Sequence, residues 1–118
     1  MGKPVAFFEI ISPDAPRAQR FYAELFDWQV DVDPAMGGFG LVDTRAGEAA
    51  IPGGIGALAP DDLAGTRVYM RVDDLDAYLA KAESLGAKRL LPPTDLPSGY
   101  GKIAMFADPD GNPVGLWA

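Results

Sequence analysis

Apolar residues change their spacing several times along the chain, and each change marks a structural element. Val5-Ala6-Phe7-Phe8-Glu9-Ile10-Ile11, ended by Ser12-Pro13-Asp14, predicts a largely buried strand in which Glu9 is the one charged member. From Pro16 the period becomes helical. Ala18, Phe21, Tyr22, Leu25 and Phe26 share one face, Arg17, Arg20 and Glu24 turn to water, and Pro16 suits a first helical turn. Trp28 to Val32 alternates as a strand, Asp33-Pro34 and Gly37-Gly38 break it, and Phe39 to Thr44 resumes. Arg45 to Glu48 reads as a hairpin turn, and Ala49 to Leu58 as a strand whose Gly53, Gly54 and Gly56 permit bulges or close backbone approach.

The second half repeats this order. Arg67 to Val72 alternates as a strand, and Asp73-Asp74 supplies acidic groups suited to a helix entry. Leu75, Leu79, Ala82 and Leu85 form an apolar stripe, with Gly86 where a left-handed cap is expected. Lys88 to Leu91 is a strand and Pro92 to Gly101 a loop long enough to serve as a lid, with Tyr100 placed to reach a ligand. Lys102 to Ala107 and Pro113 to Trp117 are strands around the turn residues Asp108, Pro109, Asp110, Gly111 and Asn112.

A constant shift of sixty residues aligns the halves, pairing Ala15 with Leu75, Tyr22 with Ala82, Leu25 with Leu85, Phe7 with Arg67 and Glu9 with Tyr69. Such a period predicts duplication of one β-α-β-β-β unit. The single domain, residues 1–118, would then hold module one at about 4–58, a polar linker at 59–65 and module two at 66–118.

Composition narrows the chemistry. The chain has no Cys and no His, which removes disulfides, thiolate ligands, the commonest general base and the commonest transition-metal ligand. A formal charge of −7 without a basic run argues against nucleic acid, whose affinity rests on neutralising phosphates. The opening apolar run is too short and interrupted for a membrane span or signal peptide, so a cytoplasmic location is expected.

Three stretches in this order resemble the vicinal oxygen chelate superfamily of glyoxalases, bleomycin-resistance proteins and extradiol dioxygenases. They are Phe8-Glu9-Ile10 leading into Arg20-Phe21-Tyr22-Ala23-Glu24-Leu25-Phe26-Asp27-Trp28, then Val72-Asp73-Asp74-Leu75-Asp76, and Phe106-Ala107-Asp108-Pro109-Asp110-Gly111-Asn112. The resemblance covers nearly the whole chain. It implies an α+β fold in which two βαβββ modules form a curled mixed sheet around a cleft, helices outside, and it implies a homodimer. Enzymes of the superfamily typically hold a divalent metal on the first strand of each module and on the last strand. Here those slots fall on Phe7, Arg67 and Gly115, with a fourth in the apolar stretch near Ile55 to Ala57. None of the three offers a lone pair. A guanidinium about 4 Å from a divalent cation would add repulsion of roughly 8 kcal/mol at an effective dielectric near 20. No metal and no other cofactor is therefore expected.

With the strand phases above, Phe7, Glu9, Arg67, Tyr69, Gly115 and Trp117 line one concave surface, and Gly115 leaves its floor open. The leading expectation is a metal-independent protein that binds a small organic molecule, aromatic or cationic, with Phe7, Glu9, Arg67, Tyr69, Tyr100, Gly115 and Trp117 as contacts. The alternative is a lyase, isomerase or epimerase in which Glu9 is the catalytic acid or base and Arg67 or Tyr69 stabilises an oxyanion. Phe39 and Met105 are expected in the core or at its rim.

Overall fold

The elements follow in the order β1 (Val5–Ser12), α1 (Ala15–Phe26), β2 (Gln29–Asp33), β3 (Phe39–Asp43), β4 (Gly53–Ala57), β5 (Gly65–Arg71), α2 (Leu75–Ser84), β6 (Lys88–Asp95), β7 (Lys102–Ala107) and β8 (Pro113–Trp117). This is a computed structural model, and it describes all of residues 1–118. The chain divides into two units, Phe7–Thr66 and Arg67–Ala118 with Met1–Ala6. Both are βαβββ modules, and the fold is α+β with mixed strand pairing. In the first, β1 pairs in parallel with β4, and β4, β3 and β2 follow antiparallel. In the second, β5 pairs in parallel with β8, and β8, β7 and β6 follow antiparallel. Neither helix is long and apolar enough to cross a membrane.

Both helices start on an aspartate. Asp14 Oδ1 accepts the Arg17 N–H at 3.1 Å, and Asp74 Oδ1 accepts the Ala77 N–H at 3.0 Å, so a side chain satisfies an amide that has no intrahelical partner. Gly86 takes the left-handed conformation expected after α2, at φ +102°. Leu75 and Leu79 are buried and pack with Val72, Ala104 and Leu116 into the core between α2 and the strands of the second module.

Three expectations from the apolar pattern need correction. Phe21, Leu25 and Phe26 do not form the buried face of α1; they are 57%, 57% and 52% exposed, and the buried residues are Ala15 and Gln19. Gln19 Nε2 donates to the Ile55 carbonyl at 2.9 Å and to the Gly38 carbonyl at 3.1 Å, so hydrogen bonds join the contacts of the Tyr22 and Phe26 rings with Trp28 on this side of the sheet. Gly40 makes room for it, since a Cβ there would lie 2.9 Å from Gln19 Nε2. In α2, Leu85 is 71% exposed because it lies past the last helical turn.

The second correction concerns Arg45 to Glu48, which is not a tight hairpin. Strand β4 begins only at Gly53, and a 3-10 turn, Gly47–Ala49, occupies part of the connection. The third concerns residues 92–101. Strand β6 runs on to Asp95, pairing Thr94 with Ile103 and Asp95 with Lys102, so the expected ten-residue loop shrinks to a short turn around Pro97–Gly99. Pro92 and Pro93 are tolerated because β6 pairs only with β7 and the register shifts beside them.

Candidate functional site

Alternation along each first strand decides which side chains turn away from the helix. In the first module Phe8 lies on the α1 side, its ring over Gly53 and 5.3 Å from the Trp28 ring, which itself stacks on Tyr22 at 5.8 Å. Phe7, Glu9 and Ile11 therefore point to the opposite face. That face is covered in part by Phe39, whose ring occupies the space above Gly54 and Gly56; a Cβ at Gly56 would lie 2.6 Å from Phe39 Cδ1. The glycines of β4 are thus sites of close approach, by an aromatic ring. Ile55, between them, is fully buried on the α1 side. The fourth metal slot expected near Ile55 to Ala57 consequently holds no donor on the Glu9 face.

In the second module Arg67, Tyr69 and Arg71 share the face of β5 opposite α2, and β8 adds Gly115 and Trp117 to it, with Tyr69 paired to Gly115 and Arg71 to Trp117. The floor at Gly115 is not open. The Tyr69 ring lies directly over it, so closely that any Cβ there would overlap the ring. The gap in the side-chain pattern accommodates a neighbour, and Tyr69 is only 4% exposed as a result.

Arg67 is 6% exposed, and its Nη1 lies 3.7 Å from Met105 Sδ; the Tyr69 hydroxyl donates to the same sulfur at 3.9 Å. Sulfur is a weak, polarisable acceptor, so Met105 packs against both polar groups without fixing a charge of its own. The Arg71 guanidinium sits 4.5 Å from the centre of the Trp117 ring, and Trp117 Nε1 donates to the Tyr100 carbonyl at 2.7 Å. Tyr100 therefore enters through its backbone, which anchors the indole. The 96–101 turn is itself tied down, with the Leu96 N–H bonded to the Gly101 carbonyl at 2.8 Å.

Four of the expected residues, Arg67, Tyr69, Gly115 and Trp117, thus gather on one face of the second module, and Phe7 and Glu9 lie on the corresponding face of the first. Arg71 escaped the sequence reading, and Met105 was expected only in the core or at its rim, where it does lie, and not as a neighbour of Arg67. Arg71 carried a usable signal, because it has the same strand parity as Arg67 and Tyr69. Met105 carried none, since a buried methionine looks like core whatever it touches.

The three slots where the superfamily's metal would be held do not fit a divalent cation. Phe7 has no donor atom, Arg67 brings a buried positive charge, and Gly115 lies under an aromatic ring. No group of three or more Asp, Glu, His or Cys side chains gathers anywhere in the structure to hold a metal.

The model of the glyoxalase-like domain family matches residues 7–117. The chain belongs to this family, within the vicinal oxygen chelate superfamily. Among curated relatives, this glyoxalase-like chain is 32% identical over 115 residues to the putative glyoxylase CFP32 of Mycobacterium tuberculosis, covering 92% of the chain and 43% of that protein. It is also 32% identical over 130 residues to the anthracycline biosynthesis protein DnrV of Streptomyces peucetius, covering 98% of the chain and 46% of that protein. The chain thus spans less than half the length of these relatives. Among solved structures, a glyoxalase/bleomycin resistance protein/dioxygenase superfamily member from Vibrio splendidus shares the fold, with TM-score 0.62 and 15% identity over 98% of this chain and 97% of that one.

Proposed function

We propose that this glyoxalase-like chain binds a small aromatic molecule without a metal, against the face of the second module that carries Arg67, Tyr69, Arg71 and Trp117. The observation that carries the reading is the Arg71 guanidinium resting 4.5 Å from the Trp117 ring centre, beside a buried phenol and a second guanidinium, on a sheet face that the helix leaves to other uses. Aromatic rings supply contact area, while guanidinium and phenol groups fix the orientation of polar substituents. Guanidinium groups on this face favour carboxylate, phenolate or carbonyl substituents on the aromatic ligand. The name of the DnrV relative, an anthracycline biosynthesis protein, supports a planar aromatic ligand as the first probe.

The test is a thermal-shift and tryptophan-fluorescence titration with an anthracycline and with simple aromatic carboxylates, with and without a chelator. A ligand at a hundred times its dissociation constant should stabilise by about 2.7 kcal/mol. That shift should survive the chelator, and Arg71→Ala or Trp117→Ala should weaken binding about tenfold. No shift from either compound class, loss of binding with the chelator, or unchanged binding in both variants would sink the reading.

The putative glyoxylase among the relatives favours a second reading, acid–base catalysis by Glu9, which projects from the β1 face opposite α1. Turnover of 2-oxoaldehydes that Glu9→Gln abolishes while binding persists would decide for it; absence of turnover in the wild-type chain would decide against it.

A further inference from the structure

The second module carries an apolar groove beside α2, on the side of its strands opposite the proposed ligand face. The groove has a volume of about 260 Å³, with Met70, Phe106 and Leu116 along its floor and Tyr78, Ala82 and Leu85 of the helix end as one wall. The internal duplication explains why it exists. Asp14 and Asp74 cap α1 and α2 sixty residues apart, so the two helices start in register. In α1, Tyr22 lays its ring on Trp28 at 5.8 Å and fills the space beside the helix. The matching residue of α2 is Ala82, too small to cover the floor, and Met70, Tyr78 and Phe106 are left only half-buried. Two exposed cations, Lys3 and Lys81, border the same groove. Lys3 Nζ lies 5.9 Å from the centre of the Tyr78 ring, and Lys81, three residues after Tyr78, shares its side of α2. Neither forms an ion pair, whereas Arg89 pairs with Glu83 and Lys102 with Asp95. No acidic residue stands three or four positions from Lys81 on its helix.

We propose that this groove takes the unbranched chain of a medium-length aliphatic carboxylate, with Lys3 and Lys81 holding the carboxylate at its mouth. Apolar side chains on floor and wall bind the hydrocarbon by removing its CH2 groups from water, and the small volume restricts its length. Leu85, 71% exposed, loses apolar surface to solvent when the groove is filled. The two ammonium groups attract the carboxylate as point charges. A net charge of −7 repels an anion from most of the surface, so these unpaired cations decide where its head lies. The site is separate from that of the aromatic ligand, because side chains alternate along β5: Met70 turns to the groove, Tyr69 and Arg71 to the other face.

Isothermal titration calorimetry of the intact chain with hexanoate, octanoate and decanoate at low salt tests the inference. Binding should saturate at a single site and tighten about fourfold for each added CH2 until the groove is full. Lys3→Gln and Lys81→Gln should each weaken decanoate about threefold and leave decanol, which has the same chain without the charge, unchanged. Ala82→Tyr, which gives α2 the ring that α1 carries, should weaken both compounds about tenfold or more while circular dichroism shows a folded chain. Heats that do not saturate, equal affinity at all three chain lengths, decanoate binding indifferent to both lysine variants, or a folded Ala82→Tyr chain that binds like the wild type would overturn the proposal. A second copy of the chain covering the groove, seen in sedimentation as a dimer that decanoate does not perturb, would overturn it as well.

Discussion

Gly115 shows how much one missing side chain can mean. Strand alternation placed it correctly on the face shared with Tyr69 and Trp117, but it could not say whether the space was empty. The structure fills that space with the Tyr69 ring, whose own burial at 4% exposure depends on there being no Cβ beneath it. Gly115→Ala should therefore lower stability by about 1–3 kcal/mol through overpacking, measured by urea unfolding. Adding Tyr69→Ala should make the double variant less destabilised than the sum of the two, because the ring that clashes is gone. Strict additivity would show that the ring does not press on this position. The same relation holds for Phe39 above Gly54 and Gly56, where the glycine-rich sequence announced close approach by backbone and an aromatic ring fills the space instead.

At the scale of elements, the hairpin between β7 and β8 was legible because its turn chemistry is local. Asp108 Oδ1 accepts the N–H groups of Asp110 and Asn112, both at 2.9 Å, and Asp108 Oδ2 accepts Asn112 Nδ2 at 2.9 Å. These bonds hold the Asp108 carboxyl below its ordinary value of 3.8, the Asn112 side chain contributing most, while the slight burial works the other way. A lowered folded-state value stabilises above the ordinary carboxylate range, and that contribution disappears as pH falls below about 4. Melting temperatures of the wild type and Asp108→Ala should accordingly differ at pH 7 and converge in acid; a constant difference would show that the charge is irrelevant to the turn.

Helix α1 was less legible. A helical period of apolar residues names a face, but Phe21 and Leu25 belong to the outward side, and the contact with the sheet is shared by Gln19 and Tyr22. Replacing Gln19 with Ala leaves the Ile55 and Gly38 carbonyls without their donor and should cost about 1–3 kcal/mol in a urea titration. A neutral result would mean that water takes the place of the amide. No pattern of hydrophobicity could single out Gln19, because a polar residue is expected at the surface unless its partners are known. Residues 92–101 failed for a related reason: two prolines suggest a loop, and only the pairing of β6 with β7 shows that a strand with one neighbour accepts them.

For the molecule as a whole, the shift of sixty residues between halves was sufficient to predict two βαβββ modules, because a duplicated unit repeats its apolar periods and turn residues together. It places β1 against β5 and β4 against β8 along the chain, but it does not preserve which face each residue of the fourth strand occupies. Ile55, sixty residues before Gly115, lies on the helix side, whereas Gly115 lies on the side away from its helix. The registers of the two parallel pairs differ by one residue, Glu9 with Gly54 but Tyr69 with Gly115, and a one-residue slip moves a whole strand's side chains to the other face. The sequence by itself determined the elements, their order, the family and the absence of donors at Phe7, Arg67 and Gly115, since period, turn chemistry and atom type are local properties. Only the tertiary structure decided that Gly115 is roofed by Tyr69, that Met105 meets Arg67, that Arg71 rests on Trp117 and that Phe21 and Leu25 face outward. Those facts depend on register and on which neighbour fills each space, and neither is written in the order of residues along one strand.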